Sequence, residues 1–126
     1  MRHPITFDPW YRGLSTILGL PPSTAYVEIE GEDVEVRMGV AFRARFKRSD
    51  VASAAPVDMR PISRGVHGFF GKWLVNGAGR NILRIELRPE QRAHVMRIPV
   101  RLRELLVSVG DPSALAKALG GLGESR

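Results

Sequence analysis

Residues 98–120 read IPVRLRELLVSVGDPSALAKALG, and the fold follows from how that stretch divides. Over residues 104–109 Leu105, Val107 and Val109 alternate with Leu106 and Ser108, the period of a β-strand. Asp111 then offers a helix cap and Pro112 a first helical position, where a missing N–H costs nothing. Leu115, Ala118 and Leu119 fall at i, i+3 and i+4, so the helix has one apolar face, and Gly120-Gly121 stops it. A helix this short is marginal alone and needs a surface to pack on. The strands before it are expected to supply that surface.

Upstream the strands come in quick succession. Residues 26–30 alternate, with Val27 and Ile29 opposite Glu28 and Glu30, and Gly31-Glu32-Asp33 reads as a turn. Val34, Val36 and Met38 alternate with Glu35 and Arg37, which completes a hairpin. After Gly39, Phe42, Ala44 and Phe46 alternate with Arg43, Arg45 and Lys47, and Arg48 ends the strand before Ser49-Asp50. Residues 51–55 predict a weaker strand stopped by Pro56, and short connections predict a meander. Residues 72–76 and 82–87 read as a second hairpin turned by Gly77-Ala78-Gly79. Residues 89–92 read as a turn or short helical excursion, and residues 94–98 as a short strand interrupted by Pro99.

Two segments stand apart. Asp8-Pro9 repeats the helix-start signal, and Trp10, Tyr11, Leu14, Ile17 and Leu18 form a helical stripe before Gly19 and Pro21-Pro22. With Arg12 as its one cation, this amphipathic helix is expected to pack on the domain or a second copy rather than lie in a membrane interface. Residues 58–71, DMRPISRGVHGFFG, predict a long loop with glycine at positions 65, 68 and 71. Phe69 and Phe70 are read as covering an open end of the barrel, with an exposed adhesive patch as the alternative.

The chain has 126 residues, enough for one domain: an N-terminal helix in 1–22 and a β-domain in 23–126. Cysteine is absent from the sequence, which excludes disulfides and thiolate chemistry. The prolines and aspartate near the start do not fit a signal peptide, and no stretch approaches the roughly 20 apolar residues of a spanning helix. The expectation is a cytoplasmic protein, with a position peripheral to the membrane as the alternative. The net charge of +6 is carried mostly by arginine and permits an anionic partner without choosing one.

The order of elements from Tyr26 to Leu119 resembles a bacterial pleckstrin-homology-like domain. The likeness rests on YVEIEGEDVEVRMG, FRARFKRSDVASAAPV, GKWLVNGAGRNILRIEL and above all the ending LLVSVGDPSALAKAL. The chain also resembles a family of small actinobacterial proteins of unknown function. The resemblance implies a mainly β (α+β) fold: six or seven antiparallel strands in a partly open barrel closed by a C-terminal helix. It does not imply one ligand. Relatives that bind phosphoinositides use basic residues around the first hairpin loop; here that loop is Gly31-Glu32-Asp33 and is acidic.

No catalytic constellation is visible. His3, His67 and His94 lack metal-ligand spacing, and Ser53 and Ser63 have no nucleophile-elbow context. The glycine loop matches no phosphate-binding signature, although its N–H groups with Arg64 and Lys72 could meet an anion. Nucleic acid is disfavoured because Phe42 and Phe46 lie on the opposite face from Arg43, Arg45 and Lys47. The expectation is a non-enzymatic module with no cofactor or metal. It would recognise a protein or small ligand through the 58–72 loop, a sheet edge or a groove beside the N-terminal helix. Candidate contact residues are Arg64, His67, Phe69, Phe70, Lys72 and Arg80. Anionic-lipid binding and self-association into a homo-oligomer are the rival readings.

Overall fold

A computed structural model describes residues 2–8, 25–39, 41–58, 65–76 and 78–120, and for residues 65, 67 and 69 the backbone alone. The predicted N-terminal helix falls in residues 9–24, outside the described residues. Among the described residues nine strands form one sheet: β1 (Arg2–Pro4), β2 (Ala25–Glu30), β3 (Asp33–Met38), β4 (Phe42–Lys47), β5 (Val51–Val57), β6 (Gly65–Phe69), β7 (Lys72–Asn76), β8 (Ile82–Val95) and β9 (Ile98–Ser108). Among the described residues one helix follows, α1 (Pro112–Ala118). The order is β1-β2-β3-β4-β8-β9-β7-β6, with β5 also on β8, and the sheet curls into a half-barrel.

Alternation builds the first half as expected. Val27 faces Val36, which faces Ala44, which faces Ala93, and all four are buried. The next row, Ala25, Met38 and Phe42, is equally buried and leads to Val95. One parity on each strand enters the core, so a one-residue slip would turn the whole set to water. A 3₁₀ turn at Arg48–Asp50 redirects the chain from β4 to β5. The Glu32 carbonyl accepts from Arg48 N at 2.8 Å, and the Lys47 N–H donates to Asp50 Oδ2 at 3.1 Å. Beyond this corner β4 and β5 lie along different lengths of the same side of β8.

The second half departs from the expected meander. β5 does not pair with β4; it pairs with β8 and runs through Pro56, which an edge strand tolerates. Residues 72–76 and 82–87 are not a hairpin, because β9 lies between β7 and β8 and pairs with β7 in parallel. The reason is burial: Leu105, Leu106, Val107 and Ser108 are buried at both parities, which suits a central strand. Nor do residues 89–98 break into a turn and a short strand. β8 continues through an irregularity between Glu86 and Gln91 that holds Pro89, joined to Arg88 by a cis peptide bond. Pro99 lies within β9 opposite His94, a wide pair of the ladder that asks nothing of its missing N–H.

α1 matches expectation. Asp111 Oδ1 accepts from Ala114 N at 3.1 Å, Pro112 opens the helix, and Gly120 ends it at φ +71°. Leu115, Ala116 and Leu119 are buried, and the helix lies against β5 and β8. β1 ties the two ends of the chain together. After pairing with β2 it continues to the end of β9: Ile5 bridges Val109, and the Thr6 N–H donates to the Ser108 carbonyl at 2.9 Å. The Ser108 hydroxyl returns a bond to the Thr6 carbonyl at 3.0 Å.

Candidate functional site

The residues singled out from sequence do not form one site. Arg64 and the side chains of His67 and Phe69 lie outside the described residues. The stretch read as a long loop is strand over 65–69, an antiparallel hairpin with β7 in which His67 is opposite Leu74 and Phe69 opposite Lys72. Gly68 permits the close pairing, because a β-carbon there would overlap the Lys72 carbonyl oxygen. Phe70 stands at the hairpin tip, 82% exposed and at φ +55°, so it does not cover the barrel. Its carbonyl accepts from Arg103 Nη2 at 2.6 Å and Nε at 3.2 Å. Lys72 Nζ lies 3.7 Å from Glu104 Oε2, which also accepts from Arg84 Nε at 3.1 Å. Arg80 follows the other end of β7 and lines a separate depression with Asp58, Asn81 and Pro112.

A stronger cluster lies on the outer face of β3, β4 and β8. Arg37 is directly opposite Arg43, and Arg43 directly opposite His94. Arg92 precedes that histidine on the same face, and Arg97 occupies the β8–β9 turn. With Arg45 they line a concavity of about 470 Å³ whose lining, among the described residues, includes no carboxylate side chain, within the usual size range of small-ligand sites. Like charges directly opposite each other destabilise a ladder.

Elsewhere on the outer face several cations are matched. Arg2 pairs with Glu28 and covers the Tyr26 ring; Lys47 pairs with Asp33; Arg84 lies between Glu86 and Glu104; Arg101 and Arg103 reach Glu90. At the concavity a single acid, Glu35, serves both Arg43 and Arg45, at 3.9 and 3.7 Å. Arg37 Nε donates a long bond to the Gly39 carbonyl at 3.4 Å. Among the described residues no carboxylate is within ion-pair range of Arg37, Arg92 or Arg97. Such a face can bind an anion by charge and by the fork of guanidinium donors.

Two of the shifted titratable groups, Glu86 and His3, lie away from this face. Glu86 is held below the usual carboxylate range, first by the Ser53 hydroxyl that donates to Oε1 at 2.6 Å. His3 is lowered chiefly because burial desolvates its ring. Neither lies beside a second acid–base partner in the concavity. Among the described residues no group of three His, Asp or Glu side chains is placed to hold a metal ion, and no helix is long and apolar enough to cross a membrane.

Sequence reasoning missed the arginine face because its parts are far apart in the chain. The shared parity of Arg43 and Arg45 was visible, but their meeting with Arg92, His94 and Arg97 depends on β4 pairing with β8. No protein-family model, curated protein or solved structure matches the chain.

Proposed function

We propose that the protein is a non-enzymatic recognition module of pleckstrin-homology-like type that binds a polyanionic, phosphoryl-bearing ligand on the outer face of β3, β4 and β8. One observation carries this reading: five arginines and a histidine line one concavity where, among the described residues, Glu35 is the one carboxylate in ion-pair range of any of them, while several cations elsewhere on the sheet have a carboxylate of their own. A bound anion would offset the repulsion between Arg37 and Arg43 that the register imposes. The acidic Gly31-Glu32-Asp33 turn takes no part.

Calorimetric titration with tripolyphosphate tests the reading. Saturable binding that weakens with salt is expected. Arg37→Gln/Arg43→Gln should weaken it at least tenfold, about 1.4 kcal/mol, without loss of fold. Wild-type protein that gives no heat with tripolyphosphate at low salt would refute it. A second reading, contact with a protein through the β6–β7 tip, is favoured by the exposure of Phe70. It predicts that Phe70→Ser abolishes a partner interaction that the arginine variants leave intact.

A further inference from the structure

The arginine face does not end at the concavity. Arg92 lines it and also lines a second depression, with Pro99, Val100 and Arg101. Arg92 and Arg101 are directly opposite in the β8–β9 ladder. The register therefore sets like charges face to face twice, Arg37 with Arg43 and Arg92 with Arg101, and each such pair costs stability. Among the described residues Glu90 is the one carboxylate lining the second depression, and it lies 3.9 Å from both Arg101 and Arg103. The cations form a band across β3, β4, β8 and β9. Adjacent strands are about 4.8 Å apart, so from Arg37 to Arg101 the band crosses three spacings, roughly 14 Å. Its corner is a fixed turn. Val95 pairs with Ile98, so Met96 and Arg97 form a two-residue connection. Such connections favour Asn-Gly, because both central residues take positive φ; here Met96 has φ +51° and Arg97 φ +70°. The Met96 N–H donates to the Ala41 carbonyl at 3.1 Å and anchors the turn that carries Arg97.

Length and chemistry together select the ligand. A compact anion would offset one like-charge pair and leave the other unmatched. An extended polyanion meets both. Single-stranded nucleic acid is one such chain, but its binding sites add aromatic rings on which bases stack. Among the described residues no phenylalanine, tyrosine or tryptophan lines either depression. Phe42 and Phe46 are buried on the inner face of β4, and the Tyr26 ring is covered by the Arg2 guanidinium at 3.9 Å. We propose that the band binds inorganic polyphosphate lengthwise, a chain of phosphates with no base, sugar or acyl body. Arg37 and Arg43 hold one stretch of the chain, Arg92 and Arg101 the next, and His94 lies between them, opposite Arg43. Guanidinium forks suit phosphoryl oxygens along the whole length. This rests on the anion-binding reading above and names the ligand class.

Calorimetric titration with size-fractionated long-chain polyphosphate tests the proposal beside the tripolyphosphate titration. Affinity per chain, corrected for the number of overlapping registers, should rise by about tenfold or more from tripolyphosphate to the long chain. Arg101→Gln changes an exposed residue outside the concavity, so the variant is expected to fold, which circular dichroism checks. It should weaken the long chain by about fivefold and leave tripolyphosphate affinity unchanged. A thymidylate oligomer with the same number of phosphates and vesicles containing phosphatidylglycerol serve as competing sources of phosphate. Each should bind at least about tenfold more weakly than polyphosphate at equal phosphate concentration. If either binds as tightly, the proposal is overturned. If tripolyphosphate binds but the long chain binds no tighter, or Arg101→Gln leaves the long chain unaffected, lengthwise binding is wrong and the anion-binding reading stands. If neither polyphosphate binds, both fall.

Discussion

Replacing the turn pair, Met96→Asn with Arg97→Gly, should make the protein more stable. In the left-handed region an L-residue costs roughly 1–2 kcal/mol, a penalty that glycine escapes and asparagine partly escapes. With φ at +51° and +70°, relief at both positions has a ceiling of about 2–3 kcal/mol. Two terms subtract from it. Glycine loses more backbone freedom on folding, about 0.5–1 kcal/mol. Met96 is already 60% exposed, so the burial given up is on the order of 0.5–1 kcal/mol. The Met96 N–H bond to Ala41 is a backbone contact and survives. The net gain is about 1 kcal/mol, or a rise of about 4 °C in Tm for a chain of this size. Urea denaturation followed by circular dichroism should show a higher midpoint at unchanged slope. A variant less stable than wild type would mean that Met96 or Arg97 contributes more by contact than it costs in backbone strain, and the reasoning would fail.

Three further outcomes follow from the core and the shifted groups. Ile5→Ala should cost about 2–4 kcal/mol in chemical denaturation, because Ile5 is 2% exposed where β1 meets β9; a loss below about 1 kcal/mol would contradict that role. Ser53→Ala should raise the Glu86 pKa in an NMR titration, since the hydroxyl bond is the main cause of its depression. The stability this bond contributes is present above the unfolded carboxylate pKa and is lost as pH falls through the lower folded value, so mutant and wild type should converge in acid. His3 has a folded pKa below 6.5. As pH falls through 6.5 the unfolded chain takes the proton first, so stability is full above that value and drops below it. His3→Phe should flatten this part of the stability–pH curve measured between about pH 5 and 8; an unchanged curve would show that the imidazole does not govern it.

The local elements were legible where local chemistry decides them. Asp111, Pro112 and Gly120 mark α1 because a cap, a fixed φ and a left-handed stop act within a few residues. The alternations in β2, β3 and β4 set their inner faces because side chains switch sides at every residue. The 58–71 stretch was harder: its glycines suggested a loop, whereas one of them, Gly68, serves a close strand pairing with β7.

Which strands are neighbours was a tertiary matter. The run Leu105-Leu106-Val107 is apolar at both parities, a sign of a central strand, but it does not name the neighbours. Insertion of β9 between β7 and β8 follows from burying both sides of that run. The arginine face arises the same way: sequence shows each cation on a solvent parity, and only the pairing of β4 with β8 puts Arg43 opposite His94. Sequence by itself determined which residues shun water and where the chain turns, because those preferences are local. The tertiary structure decided which charges meet and which go unmatched, because Coulomb interactions depend on separation in space and not along the chain.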